Sequence, residues 1–505
     1  MEKIKKFLVV LISVLFVMAA FEAKAQNVQL GKDIYEKRCW GCHGMKGDGA
    51  GPAKDFLEYQ SRDFTTGLYE YKSTLEDALP YDEDLIRTVA DGLPRAAMPG
   101  FGDVLKEGEI KAVVSYIKTF SDRFTEEKPP AKIKVPTLPQ PTDEVLAEGK
   151  KWFEELECFK CHGSAGRADG ESAPDLSDDY GNPIRPANFT QPWKFNGGST
   201  PEDIYRTVAT GLIGSPMPSF GDVFDTPEET EKYLAPLAVY VASLQEQPNF
   251  KAVLKSSLVE GELPMGPADP LWQGTEKISF RLVGQIIEEP MHFTPNIDHL
   301  NVRSLNNGRE IVFLLTWDDP TQSIQNGKIM VEDPDTYEMV EKMAYPDSLI
   351  IQFPEKLVKG PELPYFLGGD KKNHVYIWKW SADTSKTQEM NSAGLDKEKA
   401  QPADDQELES KAGYKDGLWT LVVKRPLSTE GEADLQMQPG KFHPIAFNAL
   451  DGGNDETGGK RSISTWYWLF VEKPTPSRVY IWPPVAIVFA VVLQVWLSRK
   501  FRKAF

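Results

Sequence analysis

Cys39-Trp40-Gly41-Cys42-His43 opens a segment that runs to Met98-Pro99-Gly100-Phe101-Gly102-Asp103-Val104. Both ends recur downstream, as Cys158-Phe159-Lys160-Cys161-His162 and Met217-Pro218-Ser219-Phe220-Gly221-Asp222-Val223. Motif and methionine stand 59 residues apart in each copy (98 − 39 and 217 − 158), and the two motifs hold all 4 cysteines. CxxCH is the attachment signature of c-type haem. Its two thiols form thioethers to the porphyrin, and the adjacent histidine is held under the iron. A methionine sulfur can close the sixth iron position and raise the reduction potential. The pattern therefore predicts two covalently bound haem c groups, attached through Cys39 and Cys42 and through Cys158 and Cys161. The iron ligands would be His43 with Met98 and His162 with Met217. A haem closed on both faces passes electrons and has no open position for a substrate.

Two other readings of the cysteines compete. Paired CxxC segments suit a zinc site, and exported CxxC pairs suit redox dithiols. Zinc needs neither adjacent histidine nor pairs set so far apart, and a dithiol leaves the matched methionines without a role. Met45 is a rival sixth ligand for the first haem; Ser164 or Ala165 takes its place in the second copy.

The duplication reaches beyond the motifs. Shifted by 119 residues (158 − 39), positions 85–104 share 12 identities with 204–223, among them Arg87-Thr88-Val89-Ala90 with Arg206-Thr207-Val208-Ala209. That implies repetition of one structural unit. Residue spacing predicts helices over 31–37 and 145–156 before the CxxCH loops, and over 83–91 and 201–210 before the methionine loops. Helices over 107–120 and 230–244 close the units, carrying Ile110, Val113, Val114 and Ile117, then Leu234, Leu237, Ala238 and Val241. This order of elements resembles the class I cytochrome c fold, over 26–125 and again over 144–246. Five prolines between 126 and 143 predict a semi-rigid extended linker, and 247–270 reads as a looser one.

Length and composition frame the rest. A chain of 505 residues, 41% hydrophobic and 26% charged, is folded protein of about three domains. Its net charge of −18 excludes nucleic acid as a partner and suits a basic redox protein. Residues 1–25 read as a secretory signal, with Lys3, Lys5 and Lys6 before the apolar run and Ala23-Lys24-Ala25 as cleavage site. The uncharged stretch 479–497 is long enough to cross a bilayer. The basic residues Arg499, Lys500, Arg502 and Lys503 in the tail 498–505 favour its cytoplasmic side. The expected location is the periplasmic face of a cell membrane, held by one transmembrane helix.

Between 271 and 473 the pattern turns to short strands rich in aromatic and β-branched residues, which predicts an all-β sandwich. Expected strands are 310–317, 348–353, 374–380, 418–424 and 462–471, with the charged insert 396–411 as a solvated loop. The sequence signals include Trp317-Asp318-Asp319-Pro320, Pro346-Asp347-Ser348-Leu349, Pro364-Tyr365-Phe366-Leu367-Gly368-Gly369-Asp370 and Val375-Tyr376-Ile377-Trp378-Lys379-Trp380. Ile445-Ala446-Phe447-Asn448 and Gly459-Lys460-Arg461-Ser462-Ile463-Ser464-Thr465-Trp466 complete them. In this order they resemble the γ subunit of ethylbenzene dehydrogenase and its relatives in dimethylsulfide dehydrogenase, selenate and chlorate reductases and nitrite oxidoreductases. The resemblance implies a sandwich holding one haem b between a methionine and a lysine. Carried over, Lys460 is the lysine and Met343 the methionine, ahead of Met339 and Met330. By chemistry alone His292, His299, His374 and His443 are further candidates.

The family also implies partners: a molybdopterin catalytic subunit, an iron–sulfur subunit, and a soluble cytochrome or membrane oxidase as electron partner. The two cytochrome units and the anchor depart from the short, soluble γ subunits. The reading is an electron-transfer subunit of an oxidoreductase complex, without catalytic residues of its own; nitrite oxidation or nitrate reduction is the expected reaction of the complex. A di-haem peroxidase would need an open iron position, and a stand-alone cytochrome with a β-sandwich binding module would contain no haem b.

Overall fold

The computed structural model describes residues 25–57, 59–75, 77–332, 339–357, 362–431, 433–474 and 478–502. The expected signal peptide lies outside them apart from Ala25, as does Lys503 of the basic tail. The chain divides into two compact units. One comprises Met1–Gln247 with Asp318–Gln322 and Tyr414–Leu418, the other Pro248–Trp317, Ser323–Gly413 and Trp419–Phe505.

The first unit holds both copies of the repeat. Its helices are α1 (25–38), α2 (Trp40–His43), α3 (Asp82–Asp91), α4 (Glu107–Ile117), α5 (Arg123–Glu126), α6 (Asp143–Glu155), α7 (Phe159–His162), α8 (Pro201–Thr210) and α9 (Pro227–Ser243). Hydroxyl caps start three of them: Thr142 accepts from Val145 N, Thr200 from Asp203 N and Thr226 from Glu229 N. Pro201 and Pro227 stand in the first turns of α8 and α9, where no amide partner is lost. In copy one, Ile34 and Tyr35 of α1 share a core with Val113, Val114 and Ile117 of α4. In copy two, Phe153 of α6 packs with Leu234, Leu237, Ala238 and Val241 of α9.

These helix pairs cross closely because each has a glycine at the crossing. A Cβ on Gly31 would lie 2.0 Å from Ala112 O, and one on Gly149 2.2 Å from Pro236 O. Gly149→Val is therefore expected to force the α6–α9 crossing apart and cost about 1–3 kcal/mol, the usual range for overpacking. Thermal unfolding followed by far-UV circular dichroism checks this; an unchanged Tm contradicts it.

The linker is no free spacer. Ile133, Val135 and Leu138 pack on the copy-two core, and Ile133 N donates to Ser73 O at 2.8 Å. Its apolar residues, set between prolines, give the extended chain something to bury.

The second unit is a β structure: β1 (Val253–Leu258), β2 (Ile278–Arg281), β3 (Val283–Gly284), β4 (His299–Asn306), β5 (Glu310–Asp318), β6 (Gly327–Glu332), β7 (Met339–Ala344), β8 (Ser348–Pro354), β9 (Val375–Ser381), β10 (Lys386–Ser392), β11 (Lys399–Ala400), β12 (Glu409–Lys415), β13 (Leu418–Pro426), β14 (Phe442–Leu450), β15 (Ser462–Ile463) and β16 (Tyr467–Val471). The main path runs β11-β10-β9-β8-β14-β16-β1-β4-β5-β13-β12, while β6 and β7 form a separate hairpin. β14 pairs with β16 through residues 442–445 and with β8 through 446–450, so it passes from one half of the sheet to the other. The halves face each other: Phe313 of β5 meets Trp378 of β9 at 5.6 Å, and Trp317 meets Trp380 at 5.7 Å.

Three expectations change here. The supposed linker 247–270 contributes β1, which pairs in parallel with both β16 and β4 and buries Leu254. The insert 396–411 is largely exposed, as expected, but it is not all loop. It supplies β11 and the start of β12, and Glu398 within it is paired with Lys379 at 2.8 Å and Arg461 at 2.9 Å, which compensates its burial. The single strand expected over 462–471 is split into β15 and β16 where Ser464 turns to bond Phe447. The last helix, α10 (Arg478–Arg502), contains a 19-residue stretch, Ile481–Arg499, long and apolar enough to cross a membrane, with mean hydropathy 1.9.

Candidate functional site

Both CxxCH loops are single helical turns, α2 and α7, closed by glycines at positive φ, Gly44 and Gly163. The following loop passes back under each histidine. His43 Nδ1 lies 3.2 Å from Arg62 O, and His162 Nδ1 lies 2.9 Å from Ala187 O. A carbonyl accepts, so Nδ1 carries the proton and Nε2 keeps the lone pair an iron needs. Two residues further on, Phe64 stacks on His43 at 4.5 Å and Phe189 on His162 at 4.2 Å, which fixes each ring plane. Burial pushes His162 down to about 4 and His43 in the same direction, so both imidazoles stay neutral.

The cysteines are unpaired with one another. Burial pushes the Cys39 and Cys158 thiols up to about 11, the reverse of what a reactive dithiol requires.

Each methionine loop is pinned to the helix before it by the same bonds. Phe101 N and Gly102 N donate to Val89 O and Ala90 O; Phe220 N and Gly221 N donate to Val208 O and Ala209 O. Gly92 and Gly211, at φ 77° and 64°, let the chain turn sharply into these loops. Met98 and Met217 both line a cavity that His43, His162 and the four cysteines also line. Met45 does not line it and is 54% exposed, so of the two Met98 is the one placed toward the cavity.

The two CxxCH motifs and the two methionines thus line one cavity of about 600 Å³. Apolar residues from both copies wall it, including Leu85, Val89, Ile204 and Leu237. Attachment thiols, neutral histidines and sulfur donors around an apolar space fit two c haems. Iron held there would supply one-electron exchange between its ferrous and ferric forms, with the chain orienting its ligands.

The repeat also contained a signal for the stacking residues. Arg62-Asp63-Phe64-Thr65 matches Ala187-Asn188-Phe189-Thr190, with Asp63 and Asn188 capping the same turn by accepting from Thr65 N and Thr190 N. The match is displaced because copy two has a longer stretch between His162 and Phe189 (189 − 162) than copy one between His43 and Phe64 (64 − 43).

In the β unit, Met343 stands on β7 opposite Lys328 and is 43% exposed; Met330 and Met339, on the same hairpin, are each 57% exposed. Lys460 lies in the turn before β15 and donates from Nζ to Asn454 O at 2.7 Å. Hairpin and turn are neighbours, since Lys342 Nζ lies 3.5 Å from Asp455 Oδ1. A third segment joins them: Gln285 Nε2 donates to Gly459 O at 2.9 Å, and Ile286, Ile287 and Phe293 near it are exposed. The histidines have other work. His292 bonds Glu456 at 2.9 Å, both buried, His299 bonds Asp298 at 2.8 Å, His374 faces Glu355 at 3.5 Å, and His443 bonds Gln438.

Comparison with known proteins finds matches to three segments of the chain. Residues 28–121 match the cytochrome c family model, 144–235 that of cbb3-type cytochrome c oxidase subunit III, and 269–404 that of ethylbenzene dehydrogenase. A protein of Haloferax mediterranei named as a respiratory nitrate reductase heme subunit is 24% identical over 230 residues, 46% of this chain and 76% of that one. The chlorate reductase γ subunit of Ideonella dechloratans is 30% identical over 122 residues, 24% of this chain and 48% of that one. Among solved structures, a reducing HAO-like protein complex of Kuenenia stuttgartiensis matches with 40% identity and a TM-score of 0.40, over 43% of this chain and 96% of that one.

Proposed function

We propose that this chain, which joins cytochrome c-family domains to a domain of the ethylbenzene dehydrogenase family, is the membrane-anchored electron-transfer subunit of a molybdopterin oxidoreductase complex. The observation that carries this reading is the single cavity into which both CxxCH loops and both methionines open. A pair of six-coordinate sites in one apolar space transfers electrons and leaves no position for substrate. The family resemblance of the β unit adds a third carrier, a haem b held by Met343 and Lys460 between the β6–β7 hairpin and the 285–293 segment. The exposed apolar side chains there would cover its faces. Substrate chemistry belongs to a molybdopterin subunit, with an iron–sulfur subunit between it and the haem b domain, and nitrate or nitrite is the substrate pair. The c haems pass electrons to or from a soluble cytochrome or a membrane oxidase on the periplasmic side, where α10 holds the chain after removal of the signal peptide.

A pyridine haemochrome assay on the full-length protein tests the cofactor set. Two c-type haems and one b-type haem per chain are expected; two c haems with no b haem overturn the assignment of Met343 and Lys460. Truncation before Arg478 is expected to move the protein from the membrane to the soluble periplasmic fraction with both c haems retained. Persistence in washed membranes contradicts the role of α10.

A further inference from the structure

The two copies meet around the shared cavity asymmetrically. Arg62 and Ala187 play the same part, each lending a carbonyl to its histidine. Arg95 and Gly214 are equivalent by the repeat (214 − 95 equals the 119-residue shift). Copy one thus has arginine at both positions where copy two has a small residue. Both arginines reach across. The Arg62 guanidinium lies against Gly214, where a Cβ would stand 3.5 Å from it, and it is ion-paired with Glu70. Arg95 N donates to Asn196 Oδ1 at 3.0 Å, and its guanidinium donates to Arg185 O and to Tyr59 Oη, the latter at 3.1 Å.

Their electrostatic effects differ. Arg62 stands by His43, the histidine of its own copy, and there its charge is balanced by Glu70. Among the described residues no carboxylate is paired with Arg95; its partners are a phenol, an amide and a carbonyl. Its guanidinium donates to Arg185 O, two residues before the Ala187 carbonyl that bonds His162, which places its charge on the segment that holds the other copy's histidine. A fixed positive charge in a low-dielectric site disfavours the ferric, more positive state of a nearby iron. Glu70 and Asp178 both line the cavity, and Glu70 is the one paired with Arg62.

We propose that Arg95 is an electrostatic bridge supplied by copy one that raises the potential of the second c haem relative to the first, so that the electron step from the first to the second is downhill. This rests on the reading of both sites as haem c.

Spectroelectrochemical titration of the full-length protein tests it, with haem c content measured on the same samples. Arg95→Gln is expected to lower the midpoint of the second haem, shifting electron partition between the two by about tenfold, or about 59 mV for a one-electron couple. Arg95→Lys keeps the charge and is expected to restore most of the difference. Glu70→Gln leaves Arg62 unbalanced and is expected to move the first haem upward, narrowing the gap from the other side. Equal shifts of both haems in Arg95→Gln, or an equal loss in Arg95→Lys, overturn the proposal. A preparation without two c haems overturns the underlying cofactor reading instead.

Discussion

Met217→Ala is expected to lower the midpoint of the second c haem by roughly 100 mV or more, within the ~0.8 V span that axial ligands command, and to let carbon monoxide bind the reduced protein at one c haem. Met98→Ala should do the same at the first. The sulfur stabilises ferrous iron and closes the position opposite the histidine; alanine leaves that position to water or an exogenous ligand. The loops themselves should hold, because their shape depends on backbone bonds from Phe101, Gly102, Phe220 and Gly221 and on the turns at Gly92 and Gly211. The same substitution at Met45 should change neither property, since that side chain is exposed and does not line the cavity. Carbon monoxide binding to the unsubstituted reduced protein at a c haem would contradict six-coordination and favour a peroxidase.

The largest effect of all should follow Cys158→Ala combined with Cys161→Ala. Removing both thioether bonds frees the haem to dissociate, so the mass of the chain falls by one haem and the c-type haemochrome falls from two to one. Copy two should then be destabilised as well, because Phe153, Ile204, Leu237 and Val241 of its core line the cavity and would be left facing water. Their burial is worth about 25 cal/mol per Å² of apolar surface. Mass spectrometry of the intact protein reads the first outcome and proteolytic sensitivity of copy two the second. An unchanged mass contradicts covalent attachment at these cysteines.

The cytochrome half was legible in the sequence because its chemistry is local: two thiols and a histidine within five residues, a methionine at fixed spacing, and helices with regular apolar periodicity. The match of α8 to 201–210 and the closeness of α3, α6 and α9 to expectation follow from that. What escaped is what depends on non-local packing. Nothing in 85–104 says that the two methionine loops look into one cavity, or that Arg95 reaches Asn196 a hundred residues away. In the β unit, β1 was hidden because a six-residue parallel strand with pattern Val-Leu-Lys-Ser-Ser-Leu has little alternation, and its partners β4 and β16 are remote in sequence. β8, buried along its whole length, reads as an apolar run and was easier to see. Glu398 and Arg461 illustrate the limit differently. Each looks like a surface charge alone, and only their pairing explains how Arg461 is buried with Glu398 largely covered beside it.

The central claim is that this chain carries electrons for a molybdopterin partner, and isolating the complex from native membranes without dissociating detergent tests it most directly. Molybdenum is expected in stoichiometric amount with the chain, and adding the partner's substrate should change the redox state of both c haems within turnover time. A chain that purifies with its haems but without molybdenum, and whose c haems do not respond to substrate in membranes, would contradict the account.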